Sequence, residues 1–272
     1  MPKSFTVFLL SGVLMTGVLS CNKTGRIELA VDFSSASSWK YLLGVDIKGT
    51  ASSADSSQTF TSSARVCLEG KAVAHDKGAV HFRVKDTRVA SDFLSDQELE
   101  NLKCRFEGMD LSFSPNEGAV YFPDTTAVPV INIGGWDLFR SFAKVIPVLP
   151  GSKVAPGATW DRERRFPIET TEGSATGHLY QSFTFDSIIT NGKSPDLAAI
   201  SWLFSYNIEL QPVDSGTVLE TMPKSGNGRG DAQIDLVNKR LYKANAYFEA
   251  APEEKSAIKM GWSESVHLEF IE

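Results

Sequence analysis

The sequence predicts a mainly β protein of the α+β class: a strongly curved antiparallel sheet, or half-barrel, with about two helices on its concave face. Three observations lead to this prediction. Apolar and polar residues alternate with a period of two along several runs, which is typical of antiparallel strands with one covered face. Several of these runs exceed the usual five or six residues, and long strands twist and coil. Two shorter stretches carry the spacing of amphipathic helices.

Four runs show the alternation most clearly, and each is expected to turn one set of side chains to the core. The predicted core-facing residues are Val80, Phe82 and Val84; Leu179, Phe183 and Phe185; Trp202, Phe204, Tyr206, Ile208 and Leu210; and Val266, Leu268 and Phe270. Mostly polar residues stand between them, so the other face of the sheet is expected to be wetter. The Ser- and Ala-rich tract 51–57 is typical of a hairpin tip.

Two helices are predicted between these runs. Ser95 and Glu98 form a capping box, in which the serine oxygen accepts a free amide and the glutamate reaches back. Leu99, Leu102 and Phe106 then form one apolar stripe. The second helix is expected over residues 136–145, where Trp136, Phe139 and Phe142 repeat at three, and Pro147 and Pro150 stop it.

A secretory signal peptide is expected over residues 1–20. Lys3 precedes an apolar run over residues 5–19, which is too short to span a bilayer comfortably, since a span takes about 20 residues. The rest of the chain is predicted to be a tether, residues 21–25, and one β-rich domain, residues 26–272. Similar short hairpins within 109–122 and 234–242 indicate either two related halves, 26–122 and 157–272, or a chance match.

The end of the signal, Val18-Leu19-Ser20-Cys21, resembles the lipobox of bacterial lipoproteins. The resemblance implies cleavage before Cys21, a diacylglycerol on its sulfur and an acyl chain, such as palmitate, on its nitrogen. Such a lipid anchor would hold the protein at the membrane. Asn22 follows the cysteine instead of the aspartate that retains enterobacterial lipoproteins in the inner membrane. The outer membrane is therefore favoured, with the domain in the periplasm or on the cell surface. The alternatives are an ordinary secreted protein and an uncleaved anchor.

Two further cysteines, Cys67 and Cys104, remain in an exported chain. An even pair in an oxidising compartment predicts one disulfide. The alternative is two buried free thiols.

Composition excludes some classes of partner and of site. The formal net charge is −6, and no basic stripe is available to neutralise phosphates, so nucleic acid is not an expected partner. No cofactor or metal is expected, because the four histidines are scattered and no cysteine–histidine spacing fits zinc. No motif marks a nucleophile, so the protein is predicted not to be an enzyme.

Two motifs that resemble functional ones have structural interpretations. The glycine-rich stretch from Gly226 to Gly230 looks like a phosphate loop, but no helix follows it, so a flexible turn is predicted. Its Arg229-Gly230-Asp231 tripeptide is attributed to chance. The His75-Asp76 pair is expected to lie in a turn.

A short element resembles a signature of uncharacterised bacterial lipoproteins. It consists of Leu149-Pro150, Val154 and the pentapeptide Pro-Gly-Ala-Thr-Trp at 156–160, and it enters a long strand in that family. The family's hairpins are similar to residues 108–118 and 226–242. Because that family is a domain of unknown function, the resemblance implies a location and a shape, and no activity. By fold-level analogy the implied shape is that of LolA- and LolB-type lipoprotein carriers, a curved antiparallel sheet around helices.

An apolar ligand cavity is predicted on the concave face. It would be lined by Trp202, Phe204 and Tyr206 of one strand and plugged by the aromatic residues of the second helix, Trp136, Phe139 and Phe142. The alternative for most of these aromatic residues is an ordinary core.

The mouth of this cavity is predicted at the strand that begins near Trp160. Arg162 and Arg164 share its face, where two guanidinium groups suit an anionic headgroup. A solvated edge strand is the alternative, since charge on an edge prevents aggregation. The predicted function is therefore non-enzymatic binding of an apolar or amphipathic ligand, such as a lipid or an acyl chain. The alternative is a structural or protein-interaction module of the cell envelope.

Overall fold

The computed structural model describes residues 25–32, 39–72, 80–114, 119–121, 145–170, 173–190, 192, 196–210, 225–250 and 259–271. These residues form one helix, α1 (Asp96–Phe106), and eleven strands. The strands are β1 (Trp39–Ser52), β2 (Ser57–Ala72), β3 (Val80–Ser91), β4 (Asp110–Ser114), β5 (Ala119–Tyr121), β6 (Thr159–Thr170), β7 (Gly173–Ile189), β8 (Leu197–Leu210), β9 (Ser225–Asp235), β10 (Arg240–Ala250) and β11 (Lys259–Ile271).

All eleven strands belong to one open sheet in the order β5-β4-β3-β2-β1-β11-β10-β9-β8-β7-β6. Every described pairing is antiparallel, and the N-terminal and C-terminal groups of strands meet where β1 pairs with β11. The strands β5 and β6 form its two edges. The predicted antiparallel β class is thus confirmed, in a sheet that is not closed.

The sheet is built from long strands and curves, as predicted. Nine of its strands contain 11 to 17 residues, and open sheets of more than about ten twisted strands curl. On one face, here called the inner face, the hydroxyl group of Tyr41 in β1 donates to the carbonyl oxygen of Leu241 in β10, at 3.0 Å. This bond passes over β11, which lies between the two strands.

The period-two alternation correctly identifies the inner face. Phe82, Val84, Phe183, Trp202 and Val266 are all buried there. Two inner positions break the apolar pattern without breaking the period: Gln181 and Glu264 are 2% and 1% exposed. Neither residue is among the core-facing residues predicted from the sequence.

The helix α1 has the predicted capping box. The Ser95 backbone amide donates to the Glu98 carboxylate at 2.8 Å, while the Glu98 amide donates to the Ser95 hydroxyl group. Leu102 and Phe106 are buried in the same cluster as the inner face of β3. A second helix is not shown: all but the last of the residues predicted for it lie outside the described ones, and that last residue, Val145, is buried.

The two described cysteines are free thiols, so the expected disulfide is absent from this structure. The reason is their placement. Cys67 lies between the buried Val66 and Leu68, so its side chain points to the outer face, whereas α1 packs on the inner face and leaves Cys104 exposed. The sheet therefore stands between the two sulfur atoms. Burial raises the pKa of the half-buried Cys67 thiol.

The Pro-Gly-x-x-Trp element forms a tight turn that leads into β6. The Ala158 amide donates to the Ala155 carbonyl at 3.0 Å, and Gly157 between them has a φ of +89°. Proline followed by a glycine with positive φ is the signature of a type II turn. Trp160 then fastens the preceding segment to the sheet, because its indole nitrogen donates to the Val148 carbonyl at 2.7 Å.

The two similar hairpins occupy different places in the sheet. The hairpin of β4 and β5 ends the sheet at one edge, whereas the hairpin of β9 and β10 lies near the middle of the C-terminal group of strands. The Ser- and Ala-rich tract forms the predicted hairpin tip between β1 and β2, where the Ser53 amide donates to the Ser56 carbonyl at 2.8 Å.

Candidate functional site

Some of the predicted site residues lie in the described part of the structure, and others lie outside it. Cys21, the helix residues Trp136, Phe139 and Phe142, and the His75-Asp76 pair lie outside the described residues. The backbone of Arg164 pairs with Leu179, and its side chain is outside the described part. The other five predicted site residues are Trp160, Arg162, Trp202, Phe204 and Tyr206. They occupy inner-face positions of β6 and β8.

Six aromatic side chains on the inner face form what we call the aromatic cluster: Trp160, Phe183, Trp202, Phe204, Tyr206 and Phe248. The Trp160 and Phe183 rings stack with centroids 5.5 Å apart, and Phe183 contacts Trp202 at 5.7 Å. Phe248 stacks on Phe204 and meets Tyr206 edge to face, in both cases at 6.0 Å. These separations are typical of favourable aromatic pairs. The rings form two contacting groups, one from β6 to β8 and one from β8 to β10, and both belong to the same apolar core.

A glycine strand forms the floor of the aromatic cluster. Gly226, Gly228 and Gly230 alternate along β9 and sit opposite Tyr206, Phe204 and Trp202 of β8. A Cβ atom on Gly230 would overlap the Trp202 ring, and one on Gly228 would overlap both the Phe204 ring and a backbone carbonyl of β10. The prediction of a flexible turn here was wrong: the glycines lie within β9, where the absence of side chains leaves room for the rings of β8 and β10.

Several polar atoms in and near the aromatic cluster are buried without a partner. Both side-chain amide atoms of Gln181 lack a hydrogen-bond partner among the described residues, and so do the indole nitrogens of Trp202 and Trp262. Leaving such a group unpaired costs about 1–3 kcal/mol. Arg162 lies directly opposite Gln181 in β6, is exposed, and donates to its neighbour's carbonyl oxygen, that of Asp161, at 3.0 Å.

The opposite, outer face of strands β6 to β9 carries a shallow depression of about 570 Å³. Tyr180 and Leu203 flank it and are 45% and 67% exposed. Asp161 and Glu163 stand at its β6 end. It thus combines exposed apolar groups with carboxylates on the outer face.

The carboxylates of this depression are partly paired within the chain. Arg165 donates to Glu163 at 2.8 Å and holds the pKa of that carboxyl below its ordinary value. His178 lies 3.5 Å from the same carboxylate oxygen and stacks on Tyr180. The Ser182 hydroxyl group donates to Asp161 at 2.6 Å. The contacts with Arg165 and His178 favour the ionised form of Glu163.

Sequence reasoning missed Gln181, the three glycines and Phe248 as parts of the inner site. The signal for Gln181 was the period itself, because positions 179, 181, 183 and 185 alternate on one strand. The signal for the glycines was their own period of two, which fits a strand better than a loop. Nothing in the local sequence indicates that Phe248 lies across β9 from Phe204.

The described residues also bear on membrane spans and metal sites. No helix among them combines the length and the apolar character that a membrane span requires. Within the same ranges, no group of three or more His, Cys, Asp or Glu side chains is placed to hold a metal ion.

Comparisons with known proteins identify no family. No family model matches the chain, and no curated protein matches it. Among solved structures, the chain is similar to one described as "Lipid-protein interactions in lipovitellin", with 10% identity and a TM-score of 0.46. That match covers 89% of this chain and 26% of the lipovitellin chain, so this chain spans about a quarter of its length.

A second solved structure, OccK8 (OprE) of Pseudomonas aeruginosa, is matched over 86% of this chain and 98% of its own. The identity is 6% and the TM-score 0.20. At these values neither likeness bears on function. The resemblance to uncharacterised lipoproteins therefore stays a prediction.

Proposed function

We propose that this protein is a non-enzymatic binder of an apolar or amphipathic ligand, held at the bacterial envelope by lipid on Cys21. The observation that supports it most is the aromatic cluster on its glycine floor. Aromatic side chains carry large apolar surfaces, and here they cover a broad part of the inner face that reaches an edge of the sheet. An aromatic surface of this kind suits an acyl chain, which needs apolar contact without directional bonds.

The proposed entry point is the β6 edge. Trp202 and Phe204 are buried, whereas Trp160 is only partly buried and Arg162 is exposed. A ligand arriving there meets the outermost ring of the aromatic cluster first. Because the inner rings are covered, binding requires them to be uncovered, and it is expected to be slower than diffusion.

The ligand proposal is tested by quenching of tryptophan fluorescence with a fatty acid brominated in mid-chain. The full chain carries Cys21→Ser, so that no acyl chain is attached, in a fluorinated surfactant that mixes poorly with hydrocarbon. We expect saturable quenching, and we expect Phe204→Leu to weaken it several-fold, because the Phe204 ring stacks on Phe248 over the glycine floor. The matched control is the next residue, Leu203→Ala, which changes the outer face of the same strand and is expected to bind as the parent does. Equal binding by both variants would contradict the proposal.

The anchor is a separate proposal that rests on the lipobox resemblance. We expect Cys21→Ser to abolish both processing before residue 21 and the mass added by the lipid, because only a thiol at that position accepts the diacylglycerol. Intact-mass measurement of the membrane-extracted protein checks this. Cys104→Ser, which alters an exposed cysteine, serves as the control. An unchanged added mass in the Cys21→Ser chain would place the anchor elsewhere.

A second candidate function is an interaction module of the envelope, and the outer depression favours it. Leu203 and Tyr180 are large, exposed apolar groups on one surface, and neighbouring Arg229 lies over the Tyr247 ring at 5.8 Å. Exposed aromatic and arginine residues are enriched at protein interfaces. The two candidates predict opposite results for the same pair of variants: Leu203→Ala would impair an interaction module, and Phe204→Leu would impair a ligand binder.

A further inference from the structure

We infer that Gln181, Trp202 and Arg162 bind the polar end of the ligand, and that this end carries an oxyanion, a carboxylate or a phosphate. The inference rests on the proposed function and adds the chemical class of the ligand. All three side chains offer N–H donors, and a carboxylate or phosphate offers only acceptors at neutral pH. Together they would distinguish an anionic amphipathic ligand from a neutral apolar one.

The buried amide of Gln181 is the main observation. Gln181 is 2% exposed, and neither its amide nitrogen nor its amide oxygen finds a partner among the described residues. Buried side-chain amides are normally hydrogen-bonded, and an exception requires an explanation. Leucine or methionine would fill the same inner position of β7 without this cost. A ligand that accepts a hydrogen bond from Gln181 supplies the missing partner.

The indole nitrogen of Trp202 is an independent second donor. Trp202 is buried, and its Nε1 atom is also without a partner among the described residues. Gln181 pairs with Phe204 across β7 and β8, so Trp202, two residues away on the same face, is its diagonal neighbour. Diagonal neighbours of this kind lie about 7–8 Å apart, within reach of long side chains. The two unpaired donors therefore lie on the same face of neighbouring strands, with the indole nitrogen of Trp202 over Gly230 of β9.

Arg162 supplies the positive charge. It is directly opposite Gln181 on the edge strand, at an inner-face position, and its side chain is exposed. The sequence of donors thus runs from an exposed guanidinium at the edge to a buried amide and a buried indole N–H. Guanidinium groups bind carboxylates and phosphates in two-point fashion.

This placement also orients the ligand. The donors lie on strands β6 to β8, whereas the stacked rings of Phe204 and Phe248 continue towards β10. The polar end would therefore remain near the β6 edge, and the hydrocarbon tail would run over the glycine floor. An amphipathic molecule fits this division, since one end needs donors and the other needs only apolar contact.

The test compares a brominated fatty acid with its methyl ester, because the two share a tail and differ in the charge of the head. The protein is the full chain with Cys21→Ser in fluorinated surfactant. The parent is expected to bind the acid at least about tenfold more tightly than the ester, as hydrogen bonds to a charged group are worth roughly that factor or more. Gln181→Leu is expected to reduce this preference to about threefold or less, while the ester still binds.

The stability of the same variant separates a ligand role from a structural one. If the Gln181 amide is hydrogen-bonded only when a ligand is bound, Gln181→Leu removes an unpaired buried amide from the ligand-free chain. The urea midpoint of that chain should then equal or exceed that of the parent. Arg162→Gln should also lower the preference for the acid. Its matched control is Arg165→Gln, which removes the same charge from the outer face of the same strand, where Arg165 pairs with Glu163.

Each outcome decides one point. Equal binding of acid and ester by the parent overturns the inference and leaves the proposed function standing. A lower urea midpoint for Gln181→Leu, or an unchanged acid preference in that variant, also overturns it. If neither probe binds the parent, the proposed function fails and the inference fails with it.

Discussion

Replacing Asp235 by alanine is expected to lower the free energy of unfolding by about 3 kcal/mol. Its side chain has no exposed surface and accepts hydrogen bonds from the Val237 and Asn238 amides at 3.0 and 2.9 Å. It also pairs with Arg240 at 3.1 Å, and the Arg240 guanidinium lies over the Phe270 ring at 4.2 Å. Breaking a buried ion pair costs about 3–5 kcal/mol, and the partly exposed Arg240 places the loss at the lower end.

The matched control is Asp231→Ala on the same strand. Asp231 is exposed and accepts one hydrogen bond from the Asn245 side chain, so its loss is expected to cost less than about 0.5 kcal/mol. Urea unfolding followed by circular dichroism measures both variants. A loss below 1 kcal/mol for Asp235→Ala would show that the turn of β9 and β10 does not depend on this carboxylate.

The lowered pKa of Asp235 predicts how the stability of the fold changes with pH. Burial alone would raise the pKa of this carboxyl, but the hydrogen bonds from Asn238 and Val237 and the charge of Arg240 more than offset burial and lower it. A lowered pKa in the folded state means that the stabilisation is complete above the unfolded value of about 3.9. It is lost as the pH falls through the lower, folded value. The parent should therefore lose more stability than Asp235→Ala on acidification below about pH 4.

Replacing Gly228 by alanine is expected to have the second large effect on stability. The sign of this effect tests whether the glycine floor makes room for the rings. On an ordinary strand, alanine in place of glycine is neutral or stabilising, because glycine loses more conformational entropy on folding. Here the added Cβ would overlap both the Phe204 ring and the Tyr247 carbonyl oxygen. We expect a loss of about 1–3 kcal/mol from overpacking. Asn227→Ala, at the neighbouring exposed position, should lose much less.

A double-mutant cycle at Gly230 tests whether overlap with an aromatic ring causes such a loss of stability. Its added Cβ would overlap only the Trp202 ring, with no backbone atom among the nearest three. Gly230→Ala should therefore be costly in the parent and nearly free in a Trp202→Leu background, so that the two losses are not additive. If the two losses of unfolding free energy, measured with urea, were additive, the glycines would not be needed to make room for the rings.

The sequence predicted the sheet well because a period of two is a local property of each strand. The inner positions of β3, β7, β8 and β11 follow directly from it, and the capping box at Ser95 marks the start of α1. The order of strands depends on pairing between segments that are far apart in the sequence. No local pattern in the sequence indicates that β1 pairs with β11. The expected disulfide failed for the same reason: which face Cys67 occupies depends on β2, and the place of Cys104 depends on where α1 docks.

The candidate site was predicted in part. Trp160, Trp202, Phe204 and Tyr206 were assigned to inner faces from the period-two alternation of their strands, and they lie there. Two other parts of the site were not predicted. The glycines were predicted to form a turn, although their spacing is that of a strand, and Gln181 was not among the predicted core-facing residues. Both become intelligible only when Trp202 and Phe204 are seen to lie over β9 and beside Gln181.

Native mass spectrometry of the full chain carrying Cys21→Ser, purified from the envelope of the cells that make it, tests the central claim most directly. The account predicts one non-covalently bound apolar or amphipathic molecule per chain, retained in Leu203→Ala and depleted in Phe204→Leu. A folded chain whose mass shows no bound molecule, and that takes up no added fatty acid, would contradict the ligand-binding role of the aromatic cluster.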